Sequence, residues 1–377
     1  MKKTLVTLAL AAALPLSAHA ELNFNGFANV VAGKASSGDE QWGYDDDVDF
    51  KQDSLFGLQA TADLGEGLSA TVQLISRGED DWETDFEWAY LAYDISEETR
   101  VILGRQRANL YIYSGYLDVS YAYPWITPPE GVYSLQFTSF DGASISHSFS
   151  LGEFDTNVQA IYGSESRDVL VLDSDIYSTF DNIHGFNATF NRDWLTLRAA
   201  YISTDISMPT PIGNAILEAW NQVPGFEYVG TELMLEDDQA QFVEAGLQID
   251  YNNWLVISEY THTDFDESAS DTEESLYVTV GYRFDDVLVH ATYGRDKNDA
   301  NPTVNELPYG INAQLDELSA TTARVFNART EDSKSYSLGA RWDFHESAAF
   351  KVEYSRLESD LTNEDTNLVR TALVTVF

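Results

Sequence analysis

The sequence predicts an all-β protein, a 16-stranded antiparallel β-barrel that spans a membrane, with long external loops and short turns at the other end. Three observations predict it. Apolar side chains recur at every second position in sixteen segments spread from end to end. The connections between those segments alternate between short and long. After the N-terminal leader, no stretch approaches eighteen consecutive apolar residues, so no helix in it could cross a bilayer.

The leader comes first. "MKK" is a short positive region, "TLVTLALAAALPL" is apolar, and "SAHA" ends in Ala18-His19-Ala20. That is the pattern of a secretory signal cleaved after Ala20. Residues 1–20 are therefore expected to be removed, and 21–377 to form the barrel. Loss of Lys2 and Lys3 takes the formal charge from −41 to −43. So acidic a chain is excluded as a nucleic-acid partner, because phosphate contacts need Lys and Arg. There is no cysteine, so an exported chain of this kind is held together by its fold alone. The 21 Tyr, 20 Phe and 8 Trp do not suit a disordered acidic chain, and they do suit strands with aromatic girdles.

The segments lie near 22–34, 54–64, 67–77, 85–95, 99–106, 142–151, 154–163, 182–191, 193–203, 241–251, 253–263, 274–284, 286–295, 335–344, 348–357 and 367–377. In "FGLQATADL", Phe56, Leu58, Ala60, Ala62 and Leu64 alternate with Gly57, Gln59, Thr61 and Asp63. "LSATVQLISR" sets Leu68, Ala70, Val72 and Leu74 against Ser69, Thr71, Gln73 and Arg77. "WLTLRAAY" puts Arg198 opposite Leu195, Leu197 and Tyr201, and "SLYVTVGYRF" puts Arg283 opposite Val278, Val280 and Tyr282. "YSLGARWDF" does the same with Arg341 against Leu338 and Trp342. In "FEWAYLAYDI" and "TRVILGRQR" both faces carry apolar residues, and the lumen side is open.

Short connections such as "GEG", "NRD", "YNN" and "FDD" alternate with long ones at 35–53, 78–84, 107–141, 164–181, 204–240, 264–273, 296–334 and 358–366. This places both termini at the short-turn end. A soluble β-sandwich also alternates along its strands, but it has no reason to sort its connections by length. The chain stops on "RTALVTVF". Val369, Leu373 and Phe377 share one row and Arg370 the other, so Arg370 is expected to point into the barrel. There it avoids the cost of roughly 2–4 kcal/mol for an arginine at the bilayer midplane. Pairing with the first strand, "LNFNGFANVVAGK", would close the sheet.

A leader, sixteen amphipathic strands, a long third external loop and the terminal Phe377 together resemble the general porins of Gram-negative outer membranes. The resemblance implies an outer-membrane channel for passive diffusion of small hydrophilic solutes and ions, assembled as a homotrimer, with outer-membrane lipid and lipopolysaccharide around it. It also implies that barrel-assembly machinery reads Phe377, although Thr375 stands where an aromatic is common. "GRQRANLYIYSGYLDVSYAYPWITPPEGVYSL" resembles the third-loop region of one porin subgroup, through Gly104, Arg105, Gln106, Tyr121, Tyr123, Pro124, Trp125, Pro128, Pro129 and Tyr133. That resemblance implies a loop, about 107–141, folded inward to narrow the pore. Its acidic side would carry Asp118, Glu130 and Asp141, facing a basic wall of Arg77, Arg105, Arg107 and Arg370.

A pore discriminates by diameter and by the charges at its narrowest point. Negative vestibules concentrate cations, so a cation preference is expected. The alternative is a solute-selective channel for a sugar or another small polar solute, which the aromatic third loop favours. A soluble binding protein is the third reading. The acidic stretches "DEQWGYDDDVDF" and "DFDESASDTEES" read as solvated faces. They lack the spacing of a calcium loop, and divalent bridging to lipopolysaccharide phosphates is the looser reading. Helices are expected in "PIGNAILEAWNQ" and "INAQLDELSATTARVF". No G-x-S-x-G or H-E-x-x-H occurs, and the histidines at 147, 184, 262, 290 and 345 are scattered. Neither catalysis, a metal site nor a cofactor is expected.

Overall fold

The computed structural model describes residues 21–37, 42–171, 174–266, 268, 270–299, 304, 306–327, 331–360 and 365–377. The leader, and positions 39–41, 267 and 269 of the acidic stretches, lie outside the described residues. The strands are β1 (Glu21–Ala35), β2 (Leu55–Gly65), β3 (Leu68–Arg77), β4 (Thr84–Asp94), β5 (Thr99–Arg107), β6 (Ser139–Leu151), β7 (Phe154–Val171) and β8 (Ser174–Arg192). They continue as β9 (Leu195–Ser207), β10 (Asp238–Tyr251), β11 (Trp254–Phe265), β12 (Thr272–Phe284), β13 (Val287–Asp299), β14 (Glu331–His345), β15 (Ala348–Ser359) and β16 (Asp365–Val376). Each pairs antiparallel with the next and β1 pairs with β16, so the barrel is closed and has no edge.

Alternation sorts the side chains. On β14 the exposed outward row is Tyr336, Leu338, Trp342 and Phe344, and on β15 it is Phe350, Val352 and Tyr354. Tyr293 and Tyr336 form one aromatic belt; Trp254, Tyr282, Phe284, Trp342 and Phe344 form another nearer the short turns. The short turns bend tightly, with Asn252 at φ 55° and Asp285 at φ 51°, residues that tolerate the left-handed region.

Phe377 completes the closure. Its backbone exchanges both hydrogen bonds with Gly26, at 2.9 and 2.7 Å. Its ring lies over Gly26, where a Cβ would collide with it, and 6.0 Å from Phe56. Phe377 is therefore held across the seam to β1 and is not frayed.

Two features differ from the sequence reading. The connection expected at 164–181 is largely strand, because β7 and β8 run on to Val171 and Ser174. Register shifts at Gly163/Glu165 and Asp181/His184 interrupt the two-residue period there, yet Val169, Ile176 and Phe180 remain buried. The second feature is a register shift in β4. Gln73 pairs with Trp88 and Leu74 with Phe86, so Glu87 is an extra residue. This bulge is why "FEWAYL" shows apolar residues on both faces.

The long loops carry α1 (Pro211–Asn221), α2 (Glu227–Glu232) and α3 (Ala313–Asn327). Thr210 caps α1 by accepting from the Gly213 N–H at 3.1 Å, with Pro211 in the first turn. Ile216, Trp220, Val229, Leu233, Leu307 and Leu315 form one apolar cluster, and Trp220 Nε1 donates to Thr322 Oγ1 at 3.1 Å. The two helical loops are thus a single packed unit at the long-loop end. Ile212 and Ile311 lie outside this cluster and are exposed.

Candidate functional site: the third loop and the lumen wall

The third loop, 108–138, folds into the barrel. Leu110, Tyr111, Tyr113, Tyr123, Trp125, Val132 and Phe137 are buried against inward residues such as Ile161, Ile183, Phe242, Ile257 and Tyr277. Polar contacts fix it on several sides. The Glu259 carboxylate on β11 accepts from the Ile112 N–H at 2.7 Å, the Tyr133 hydroxyl at 2.6 Å and the Tyr277 hydroxyl at 2.5 Å. Trp125 Nε1 donates to Thr279 and Thr292 on β12 and β13, at 3.1 and 3.0 Å. Tyr113 donates to Gln248 on β10 at 2.9 Å. The loop is therefore a packed cross-member and not a free flap.

Arg77 and Arg107 converge on Asp118. Arg77 donates to it at 2.7 Å, and Arg107 forms a short ion pair with it. Both also reach Glu87, at 3.3 and 3.2 Å. Glu87, absent from the sequence reading, faces inward because of the bulge. Acid and base are thus in contact, where the resemblance implied two rims facing each other across a gap. Burial raises the Asp118 carboxyl, but Arg107 and Arg77 outweigh this and hold it below the usual carboxylate range.

Arg370 points into the lumen, as alternation required. It pairs with Asp53 at 2.9 Å, Glu353 at 2.7 Å and more distantly Glu130 at 3.9 Å, and it donates to Thr127 at 2.8 Å. Burial pushes Glu130 up to about 8; Arg370 opposes the shift, and Asp53, Glu353 and Glu79 reinforce it.

Arg105 and Asp141 lie elsewhere. Asp141 belongs to β6 and not to the loop, with its side chain 63% exposed. Arg105 forms a bidentate pair with Glu165 at 2.7 and 2.9 Å, reaches Asp141 at 3.1 Å and donates to the Phe86 carbonyl at 2.9 Å. None of these partners is on the third loop. Gly104, at φ 126°, packs where a Cβ would strike the Ala89 carbonyl, a local distortion that alternation cannot register.

The other inward arginines are paired too. Arg283 holds Asp250 at 2.6 and 2.7 Å, Arg341 holds Asp343 at 2.7 Å, and Arg198 lies 3.5 Å from Glu244. Lys351 and Glu353 were missed, although "FKVEYS" places them opposite Phe350, Val352 and Tyr354.

The first loop also turns inward. Beyond Asn29, where β1 leaves β2, Gly33 exchanges backbone hydrogen bonds with Asp49 at 3.0 and 2.9 Å. Tyr44 lies buried over Gly33 and donates to Asp53 at 2.9 Å. At the short-turn end, the third loop borders a vestibule of about 580 Å³ lined by Gln59, Gln73, Trp88, Arg107 and Tyr116. It also borders one of about 410 Å³ lined by Tyr113, Tyr121, Tyr123, Arg283 and Asp343.

Comparison with solved structures finds the same architecture. The outer membrane channel DcaP of Acinetobacter baumannii matches with a TM-score of 0.61 at 12% identity, covering 97% of this chain and 99% of its own. The anion-selective porin from Comamonas acidovorans gives 0.61 at 13% identity, covering 95% and 100%. Salmonella typhi OmpF, in complex with daunomycin, gives 0.60 at 15% identity, covering 95% and 98%. No curated protein matches the sequence. The Gram-negative porin family model matches residues 7–362, nearly the whole chain, and this chain belongs to that family of outer-membrane channels.

Proposed function

We propose that this outer-membrane porin passes small hydrophilic solutes and ions by passive diffusion, with a preference for cations. The observation that carries the reading is the pairing of the wall. Arg77, Arg107, Arg198, Arg283, Arg341 and Arg370 each lie against a carboxylate. Among the described residues they leave no continuous basic strip, and the whole chain carries a formal charge of −41. Such a lumen draws in cations more than anions. The reversal potential across a planar bilayer under a KCl gradient tests this. A sign corresponding to K⁺ preference is expected, and a Cl⁻ preference overturns the reading.

The tyrosine-lined vestibule supports a second reading, a channel selective for a sugar or similar polar solute. Concentration-dependent, saturable block of ion current by a mono- or disaccharide would favour it over simple diffusion. A homotrimer fits the family, and Vibrio cholerae OmpT, a structural neighbour at 11% identity, is described in a trimer form. We read residues 1–20 as a cleaved export signal and Phe377, paired to Gly26 at the barrel seam, as the mark recognised by the assembly machinery. Lipopolysaccharide is the expected lipid neighbour of the long-loop end.

A further inference from the structure

We propose that Lys351 is a positioning residue of the third loop, and that its ammonium group sets the aperture by binding the backbone carbonyls of one short run of that loop. Lys351 lies on the inward row of β15 and is 1% exposed. Its Nζ donates to the Ser120 carbonyl at 2.5 Å, the Ser120 hydroxyl at 3.0 Å, the Tyr123 carbonyl at 2.9 Å and, in a short contact, the Trp125 carbonyl. All four acceptors come from residues 120–125. An ammonium group has three N–H donors and no acceptor, so this run satisfies it fully.

The charge has no other direct partner among the described contacts. Glu353, two residues along the same face, is committed to Arg370 at 2.7 Å. Arg341, opposite Lys351 in the register, acts beside it and donates to the Tyr121 and Tyr123 carbonyls at 2.6 and 3.0 Å. Each cation also sits over a loop ring. Lys351 Nζ is 4.9 Å from the centroid of Tyr123, and Arg341 Cζ is 4.8 Å from that of Tyr121. Two neighbouring cations would repel each other in an empty lumen, and the loop's carbonyls and ring faces offset that repulsion.

The turn is shaped for this role. Residues 120–122 form a single 3₁₀ turn, closed by the Tyr123 N–H on the Ser120 carbonyl at 3.4 Å. Pro124 follows, and it has no N–H to draw the chain into further helix. The Ser120 hydroxyl also donates to the Ile126 carbonyl at 2.7 Å, which keeps the run compact. Trp125 is tied to β12 and β13, and Arg341 holds the run from β14. Lys351 therefore extends the loop's anchorage along this wall to β15. Its removal leaves the buried Trp125 carbonyl without its donor and takes the charged partner from the Ser120 and Tyr123 carbonyls, which disfavours this position of the loop.

The inference rests on the chain being a channel and not on its ion preference. The test is single-channel conductance of the full chain in planar bilayers, with heat-modifiable migration confirming a folded barrel. Lys351→Met should raise conductance at least about twofold, since flow follows the width of the narrowest point. Lys351→Arg, which keeps charge and donors, should stay closer to the unmodified value. The chain has no cysteine, so Ile126→Cys, at a side chain 2% exposed next to the bound run, reports directly on the loop. Its thiol should resist a charged thiol reagent when Lys351 is present and react in the Lys351→Met background. Unchanged conductance together with a thiol that stays protected in that background would overturn the inference. If Lys351→Met gives no folded barrel, Lys351→Gln, with two donors, decides the matter: intermediate conductance supports the clamp and parental conductance overturns it. Absence of any current from the unmodified protein would count against the channel reading instead.

Discussion

At the residue scale, Glu130 is the loop group placed to change charge near neutral pH. A carboxyl pushed up to about 8 is mostly protonated at pH 7 and gains a negative charge as pH rises through that value. The groups around it are Arg370, Asp53, Glu353 and Glu79. Its side chain keeps 36% exposure, so water reaches it and moderates the shift, but passing ions reach it as well. A unit negative charge about 6 Å away in a water-like medium favours a cation and disfavours an anion by about 0.7 kcal/mol each, or up to about tenfold in their ratio. The cation-to-anion permeability ratio should therefore rise up to that amount between pH 6.5 and 9.5, windows chosen about 1.5 units either side of the titration. Glu130→Gln should flatten the rise. A wild-type ratio that stays level across the window would show that Glu130 is not the titrating group. Glu87 acts differently, because it shares Arg77 and Arg107 with Asp118 and so shapes the site through pairing.

At the scale of elements, strand number, order and most inward rows were legible in the sequence, because a closed barrel imposes a strict two-residue period on every strand. Arg370 and Arg283 could be placed from that period alone. The period failed where the backbone adds or twists a residue. The bulge at Glu87 hid an inward carboxylate, and the shifts in β7 and β8 made strand look like loop. The third-loop contacts were illegible for another reason: they join residues far apart in sequence through backbone carbonyls, which any residue type supplies. Lys351 itself was within reach of the alternation in "FKVEYS". The bulge carries a prediction at this scale. Glu87→Gln keeps the side-chain shape but removes the charge shared by Arg77 and Arg107. Charge-assisted hydrogen bonds contribute about 1.5–3 kcal/mol each, so the urea midpoint for loss of the heat-modifiable form should fall. An unchanged midpoint would mean that Asp118 alone holds the two arginines.

At the scale of the whole molecule, two solvents explain one sequence. Every strand has one row facing hydrocarbon and one facing a polar lumen, and this is why so acidic a chain can also expose Leu338, Trp342, Phe350 and Leu373. The acids and most arginines of the strands lie inward or at the ends, where water or a partner meets them. The contrast between adjacent residues of β14 tests the arrangement most directly. Leu338 is 63% exposed on the outward row, between Tyr336 on one side and Trp342 on the other, so it sits at hydrocarbon depth. Ser337 lies inward beside Ser355, with the hydroxyls 2.8 Å apart. Leu338→Arg places a guanidinium in lipid and should cost about 2–4 kcal/mol. Ser337→Arg places the same group in the lumen, where water and nearby carboxylates receive it, and the loss should be well under half as large. Folding into lipid vesicles over a urea series measures both. Equal losses, or a greater loss for Ser337→Arg, would mean that the outward row does not meet hydrocarbon, and the two-solvent account would fail with it.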